Sequence, residues 1–109
     1  MTKTIAVIGK KFTFSFGPDA IYQLHFLDNK HVDVTVVKDA SYPTGTVNHF
    51  EIDMTEIRPN VYMVTWIESK TGNTVTHVED YENNIAYTNI TDMASRQFWN
   101  LKGEIQAVP

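Results

Sequence analysis

The chain has 109 residues, 42% of them hydrophobic, which is enough for one folded domain spanning 1–109 and too little for a second core. Its formal net charge of −4, from 13 acidic and 9 basic residues, argues against a surface that binds nucleic acid. The absence of cysteine excludes disulfides, thiol nucleophiles and thiolate metal sites.

Membrane-spanning segments and cofactor motifs are also missing from the sequence. No apolar run is long enough for a signal peptide core or a membrane span, so we expect a cytoplasmic protein without a membrane partner. No Ser-centred nucleophile elbow, phosphate-binding loop or dinucleotide fingerprint occurs, and we therefore expect no cofactor.

The balance of residue types favours strands over helices. Val, Ile and Thr together make up 33 of the 109 residues, whereas Leu and Ala number only 3 and 6. Stiff β-branched side chains fit a pleated sheet and crowd a helix. The composition therefore predicts an all-β domain.

Eight short runs of strand character alternate with turn signals such as Gly17-Pro18 and Thr71-Gly72. Nearly all of the connections have hairpin length, so strands that follow each other in sequence should be antiparallel neighbours. An up-and-down meander of about eight strands closes into a barrel and so removes its unpaired edges. The predicted strands are 11–16, 20–27, 31–37, 47–57, 61–68, 73–81, 85–91 and 96–102.

The connection 38–46 is longer than the others and contains Tyr42-Pro43-Thr44-Gly45. A long loop at one rim of a barrel is a candidate lid over a binding site. An ordinary surface loop is the alternative, and the sequence leaves both open.

In the first half of the chain, apolar and polar residues alternate with the period of a strand, which predicts one inward and one outward face. The predicted inward residues are Phe12, Phe14, Phe16, Tyr22, Leu24, Phe26, Val32, Val34, Val36, Phe50, Ile52 and Met54. The outward residues include His25, His31, Asp33, His49, Glu51 and Asp53. Their spacing matches no metal-site signature, so we interpret them as a polar exterior and predict no metal site.

The hairpin of strands 61–68 and 73–81 has a more ambiguous pattern. A four-residue loop would pair Glu68 with Asn73, and direct cross-strand partners share a face. This groups one set of residues on one face without saying whether that face is inside. The set is Tyr62, Val64, Trp66, Glu68, Val75, His77, Glu79 and Tyr81.

Two families share motifs with this chain. The stretch 8–22 and the run 61–68 resemble the opening strands and the central hairpin of the phenolic acid decarboxylases. The stretches 72–78 and 87–91 are similar to the molybdenum cofactor biosynthesis protein F family. Both families are lipocalin-like, calycin-type barrels, and the resemblance covers residues 8–91.

The resemblance to the decarboxylases implies that this chain shares their barrel fold but not their decarboxylation reaction. That family binds its substrate carboxylate with two tyrosines and an arginine, and the matching positions here are Phe14, Phe16 and Thr46. A phenyl ring cannot donate a hydrogen bond as a phenol can. Only the catalytic glutamate has a counterpart, Glu68, so we expect no decarboxylation of phenolic acids.

The same resemblance implies that Glu68 lies inside the barrel. By the pairing above, the face that carries Trp66 and His77 is then also inside. The ligand-binding residues predicted on this basis are Phe14, Phe16, Tyr22, Val34, Tyr62, Val64, Trp66, Val75, Glu79 and Ile90.

Glu68 and His77 are the candidate catalytic residues of this interior. They are four positions apart in register, about 13 Å at ~3.3 Å per residue, so a direct dyad is not expected. They would instead contact opposite ends of one ligand.

Three functions remain open. The first is binding of a small, apolar or aromatic molecule in a barrel cavity. The second is a small acid–base enzyme, a lyase, isomerase or cyclase, that uses Glu68 and His77. The third is a structural module with a filled core. A homodimer through the apolar segment 105–108 is a further expectation.

Overall fold

The computed structural model describes residues 6–109, and these form nine antiparallel strands and no helix. Residues 1–5 lie outside this description. The strands are β1 (Lys11–Ser15), β2 (Ala20–Asp28), β3 (His31–Asp39), β4 (Val47–Glu51), β5 (Asp53–Arg58), β6 (Val61–Glu68), β7 (Asn73–Asp80), β8 (Ile85–Asp92) and β9 (Gln97–Ala107). The predicted all-β antiparallel class is confirmed. A helix that could cross a membrane is absent from the described part of the chain.

The strands form one sheet in the order β4-β3-β2-β1-β9-β8-β7-β6-β5. Each strand pairs with its neighbour in sequence, except that β9 returns to pair with β1, where Ile105 lies opposite Phe14. The two edge strands, β4 and β5, are adjacent in sequence and β4 packs against β6. The sheet is therefore a nearly closed barrel, as predicted.

The predicted strand 47–57 is two strands that meet at Ile52. β4 pairs with β3, whereas β5 pairs with β6, so the chain changes partner at this point. Ile52 is buried, and its N–H donates to the carbonyl of Lys30 at 2.7 Å. Across the seam the rings of Phe50 and Trp66 stack with centroids 5.9 Å apart.

The last strand is longer than the predicted 96–102 and continues to Ala107. The prediction ended early because Gly103 interrupts the apolar alternation. A Cβ at this position would lie 2.5 Å from the ring of Phe16, so the glycine makes room for that ring. Ile105 is buried inside the barrel, so its side chain is not available to contact a second copy of the chain. The homodimer through 105–108 stays a prediction.

The predicted inward residues of the first half are buried or half-buried. The hairpin register is confirmed, with Glu68 opposite Asn73 and Val64 opposite His77. Val64, Trp66 and His77 are buried, which identifies their face as the inner one.

Candidate ligand-binding site

A cavity of about 790 Å³ lies at one end of the barrel interior. Residues 39–42, at the start of the long connection, line its rim together with residues 69–71 of the β6–β7 turn. The walls come from strands on both sides of the barrel. The long loop therefore lies beside the cavity, as a lid would, and its closure stays a prediction.

Of the predicted site residues, the structure brings a majority to the wall of this cavity. They are Phe16, Tyr22, Val34, Trp66, Glu68, Val75, His77 and Ile90. The other four, Phe14, Tyr62, Val64 and Glu79, do not line it. Phe14, Val64 and Glu79 are fully buried, and Tyr62 packs against the core. Their side chains share the inner face but fill the barrel beyond the cavity.

His77 is held in place by a buried carboxyl group. Its Nδ1 lies 2.9 Å from Oε2 of Glu79, and the hydroxyl of Tyr81 donates to Oε1 of Glu79 at 2.6 Å. Within residues 6–109 the other ring nitrogen of His77, Nε2, makes no hydrogen bond. Glu79 thus orients the imidazole, and Nε2 is left for a molecule in the cavity.

Aromatic rings surround this imidazole on several sides. The ring of Trp66 meets it edge-on with centroids 4.8 Å apart, and Phe14 and Phe16 each approach to 5.6 Å. Such rings provide a large, rigid apolar surface for a ligand. The position of His77 is therefore fixed by packing as well as by Glu79.

Two carboxyl groups lie near the rim, on Asp39 and Glu68. The hydroxyl of Tyr22 donates to Oδ2 of Asp39, while the backbone N–H groups of Ser41 and Tyr42 donate to Oδ1. Burial raises the pKa of Tyr22, and the hydrogen bond to Asp39 adds to this rise.

The carboxyl group of Glu68 is perturbed by its surroundings. Burial raises its pKa, and the negative charge of Asp39 acts in the same direction. The indole N–H of Trp66 and the imidazole of His77 oppose the rise. Glu68 and His77 therefore act on each other electrostatically, although His77 has its hydrogen bond with Glu79.

Three buried polar side-chain atoms have no regular hydrogen-bond partner within the described residues, and all three belong to the cavity wall. They are Nε1 of Trp66, Oδ1 of Asn73 and Oγ1 of Thr88. A buried polar group without a partner costs roughly 1–3 kcal/mol, so such groups need an explanation. A ligand with polar groups of its own would satisfy them.

Asn73, Thr88 and Trp99 line the cavity but were not predicted. Each is the direct cross-strand partner of a predicted residue: Asn73 of Glu68, Thr88 of His77 and Trp99 of Ile90. The predicted hairpin already paired Asn73 with Glu68, and continuing the register into β8 and β9 would have placed Thr88 and Trp99 on the same face, since direct partners share a face.

Asp39 was missed for another reason. Between β2 and β3 the register shifts at Ile21 and Tyr22, so that Tyr22 pairs with Val36 but Ile21 with Lys38. A bulge of this kind reverses the alternation along β3. Asp39 therefore lies on the inner side. Strict alternation after Val36 would have placed Lys38 there instead.

The outward-facing histidines and carboxylates form pairs on the exterior. His49 contacts Asp33, His31 lies 2.9 Å from Asp28, and Lys30 lies 3.3 Å from Asp53. No group of three such residues that could hold a metal occurs among residues 6–109.

Comparison with known families places this barrel in one of them. The MoaF-like family matches residues 8–106, nearly the whole chain. The chain belongs to the MoaF-like family. The predicted resemblance to the molybdenum cofactor biosynthesis protein F family is thereby confirmed.

The MoaF-like chain is also similar to a crystal structure described as that of "a putative beta-lactamase from Burkholderia vietnamiensis". The similarity has a TM-score of 0.82 and 22% sequence identity, over 98% of this chain and 100% of the other. At this identity the likeness concerns the fold alone. None of the curated proteins matches the chain.

Proposed function

We propose that this MoaF-like barrel binds a small organic molecule with an apolar or aromatic body and does not decarboxylate phenolic acids. The observation that carries the proposal is the cavity of about 790 Å³ with three unpartnered polar atoms in its wall. Cavities of roughly 300–1,000 Å³ with a few placed polar groups are typical of small-molecule sites. The volume argues against a structural module with a filled core.

Native mass spectrometry of protein purified from its own host tests this proposal. We expect an additional mass that stays bound under gentle ionisation and is lost on unfolding. The proposed setting is the cytoplasm, since a chain without cysteine needs no oxidising compartment. Purification from a cytosolic fraction is therefore the first step.

A matched pair of variants makes the test specific to the cavity. Ala20 lines the cavity, whereas Ala94 is exposed on the β8–β9 turn. Ala20→Phe should fill part of the cavity and remove the bound mass, while Ala94→Phe should keep it. Retention of the same mass by Ala20→Phe would assign the ligand to another surface.

The second candidate is an acid–base enzyme, and one observation favours it. A carboxyl group with a raised pKa, Glu68, and an imidazole fixed by Glu79 line the same cavity. Groups of this kind can exchange a proton with a bound molecule. Many lyase, isomerase and cyclase reactions proceed through such an exchange.

Turnover of the retained molecule separates the two candidates. Incubation of the isolated molecule with catalytic amounts of protein would convert it if the protein is an enzyme, and Glu68→Gln or His77→Gln would abolish conversion. Unchanged recovery of the molecule with the wild-type protein would leave binding as the function.

A further inference from the structure

Several hydrogen-bond acceptors lie in the cavity wall. The carboxyl groups of Asp39 and Glu68 both line it, as does the amide of Asn73, whose Oδ1 has no partner within residues 6–109. Among the donors, the hydroxyl of Tyr22 already donates to Asp39, whereas the indole N–H of Trp66 lies near Glu68 but has no regular hydrogen-bond partner within residues 6–109. A ligand that donates hydrogen bonds would therefore find acceptors in Asn73 and Glu68.

The charges in the cavity lead to the same conclusion. Of the basic groups that line the cavity, Lys70 lies on the exposed β6–β7 turn, His49 contacts Asp33, and His77 has Glu79 as its own acidic partner. Asp39 and Glu68 are half-buried, and their charges act on each other. Two carboxylates that share a partly desolvated site repel each other, and a cation between them would remove the repulsion.

An independent observation comes from the floor of the cavity. Thr88 is only 4% exposed, lines the cavity and has an unpartnered hydroxyl oxygen within the described chain. A hydroxyl can accept a hydrogen bond from a charged nitrogen. The unpartnered oxygen is therefore available to a donor group of a ligand.

Aromatic rings complete the wall, those of Phe16, Tyr22, Tyr42, Phe50 and Trp66. The faces of such rings attract cations, with Trp the strongest. The same rings offer apolar contact to a hydrocarbon body. The site thus combines two carboxyl groups near the rim with an aromatic interior.

We propose that the cavity selects small organic amines in their protonated form, with the ammonium group between Asp39 and Glu68 and an apolar or aromatic body among the rings. This inference rests on the proposed binding function and specifies the chemical class of its ligand.

Three probes with the same indole body and different head groups test the inference: tryptamine, tryptophol and indoleacetate. They carry a positive, a neutral and a negative head at neutral pH. We expect calorimetric titration to give tryptamine roughly tenfold tighter binding than tryptophol, and indoleacetate the weakest binding.

Variants identify the groups responsible. Asp39→Asn and Glu68→Gln should each weaken tryptamine binding roughly fivefold and leave tryptophol binding within about twofold. Unchanged tryptophol binding also shows that the variant is folded. Glu104→Gln removes the same charge from an exposed position of β9 and should change neither affinity.

The outcomes separate the two proposals. Equal binding of all three probes, or a tryptamine preference that survives both variants, would overturn the amine inference and leave the binding function intact. Failure of all three probes to bind the wild-type protein would count against both.

Discussion

Nδ1 of His77 lies 2.9 Å from Oε2 of Glu79, and the two side chains are 5% and 0% exposed. Both residues lie on the inner face of β7, two positions apart, and Tyr81 follows on the same face. The pair is thus a polar element inside a largely apolar barrel, and His77 lines the cavity. Its geometry fixes which nitrogen of His77 a ligand can reach.

Replacement of Glu79 by glutamine should destabilise the protein. A carboxylate accepts the hydrogen bonds of Tyr81 and His77 together, whereas an amide accepts through only one of its two terminal atoms. We expect a loss of about 1–3 kcal/mol in the free energy of unfolding, measured from urea midpoints. Tyr81→Phe, which removes a single bond, should cost about 1 kcal/mol. Equal stability of Glu79→Gln and wild type would contradict this account.

The shared face of His77 and Glu79, and the barrel itself, could be predicted from the sequence. Period-two alternation and a four-residue turn were enough to pair Val64 with His77, because direct partners share a face. Only the resemblance of Glu68 to a buried glutamate indicated which face of the hairpin is the inner one. The alternation of apolar and polar residues is compatible with His77 and Glu79 on either face. Glu79 can be buried because His77 and Tyr81 are its hydrogen-bond partners, and the alternation of residue types does not predict these bonds.

The features that were not predicted each have a specific structural cause. The partner change at Ile52 leaves no mark in the alternation, because Phe50, Ile52 and Met54 keep the same phase on both strands. The bulge at Tyr22 moves Asp39 inward, and Gly103 hides the continuation of β9. Each case depends on a backbone contact between distant segments, and such contacts are not encoded by residue type alone.

The close approach of Phe16 to β9 predicts that Gly103→Ala is destabilising. The new Cβ would lie 2.5 Å from Cδ1 of Phe16 and 2.7 Å from the carbonyl oxygen of Ser15. Because the backbone oxygen cannot rotate away, we expect a cost of about 1–3 kcal/mol. The exposed neighbour Lys102 provides the control, since Lys102→Ala should change stability by less than about 0.5 kcal/mol. Thermal melts of both variants make the comparison.

A ligand in the cavity should change the tryptophan fluorescence, and the structure assigns two emitters to the effect. Trp66 is 8% exposed and Trp99 is 42% exposed, and both line the cavity. The buried ring contacts His77 and Phe50, so Trp66→Phe should remove most of the ligand-induced change. Trp99→Phe should remove a smaller part. A response carried wholly by Trp99 would restrict the ligand to the rim.

Phenolic acids should remain intact in the presence of the protein. The positions that bind the carboxylate in the decarboxylases are occupied here by Phe14, Phe16 and Thr46. Phe14 is fully buried, and the hydroxyl of Thr46 donates to the carbonyl oxygen of Pro43 at 2.7 Å. The cavity rim carries Asp39 and Glu68 instead, which repel an anion. Chromatography of p-coumaric and ferulic acids after overnight incubation should recover both. Protein-dependent formation of vinylphenols would refute the assignment.

The stability of the protein should depend on pH through Glu68. Burial holds the pKa of this carboxyl above its ordinary value of 4.5 in the folded state. Between 4.5 and the raised pKa the folded protein binds more protons than the unfolded chain, so the contribution of Glu68 to stability falls as pH rises through this window. Above the window the unfavourable contribution is constant.

Glu68→Gln isolates this contribution, because glutamine keeps the shape and cannot ionise. The variant should gain stability relative to wild type as pH rises through the window, reaching about 1 kcal/mol near neutral pH for a half-buried group. Ligand affinity should fall in the same variant, since functional groups commonly reduce stability where they serve binding. Urea midpoints across the acid-to-neutral range measure the first effect and calorimetry the second. Glu104→Gln, on the exposed face of β9, should show neither trend. If the difference between Glu68→Gln and wild type were independent of pH, Glu68 would be a solvated surface residue and His77 would remain as the polar contact of the cavity.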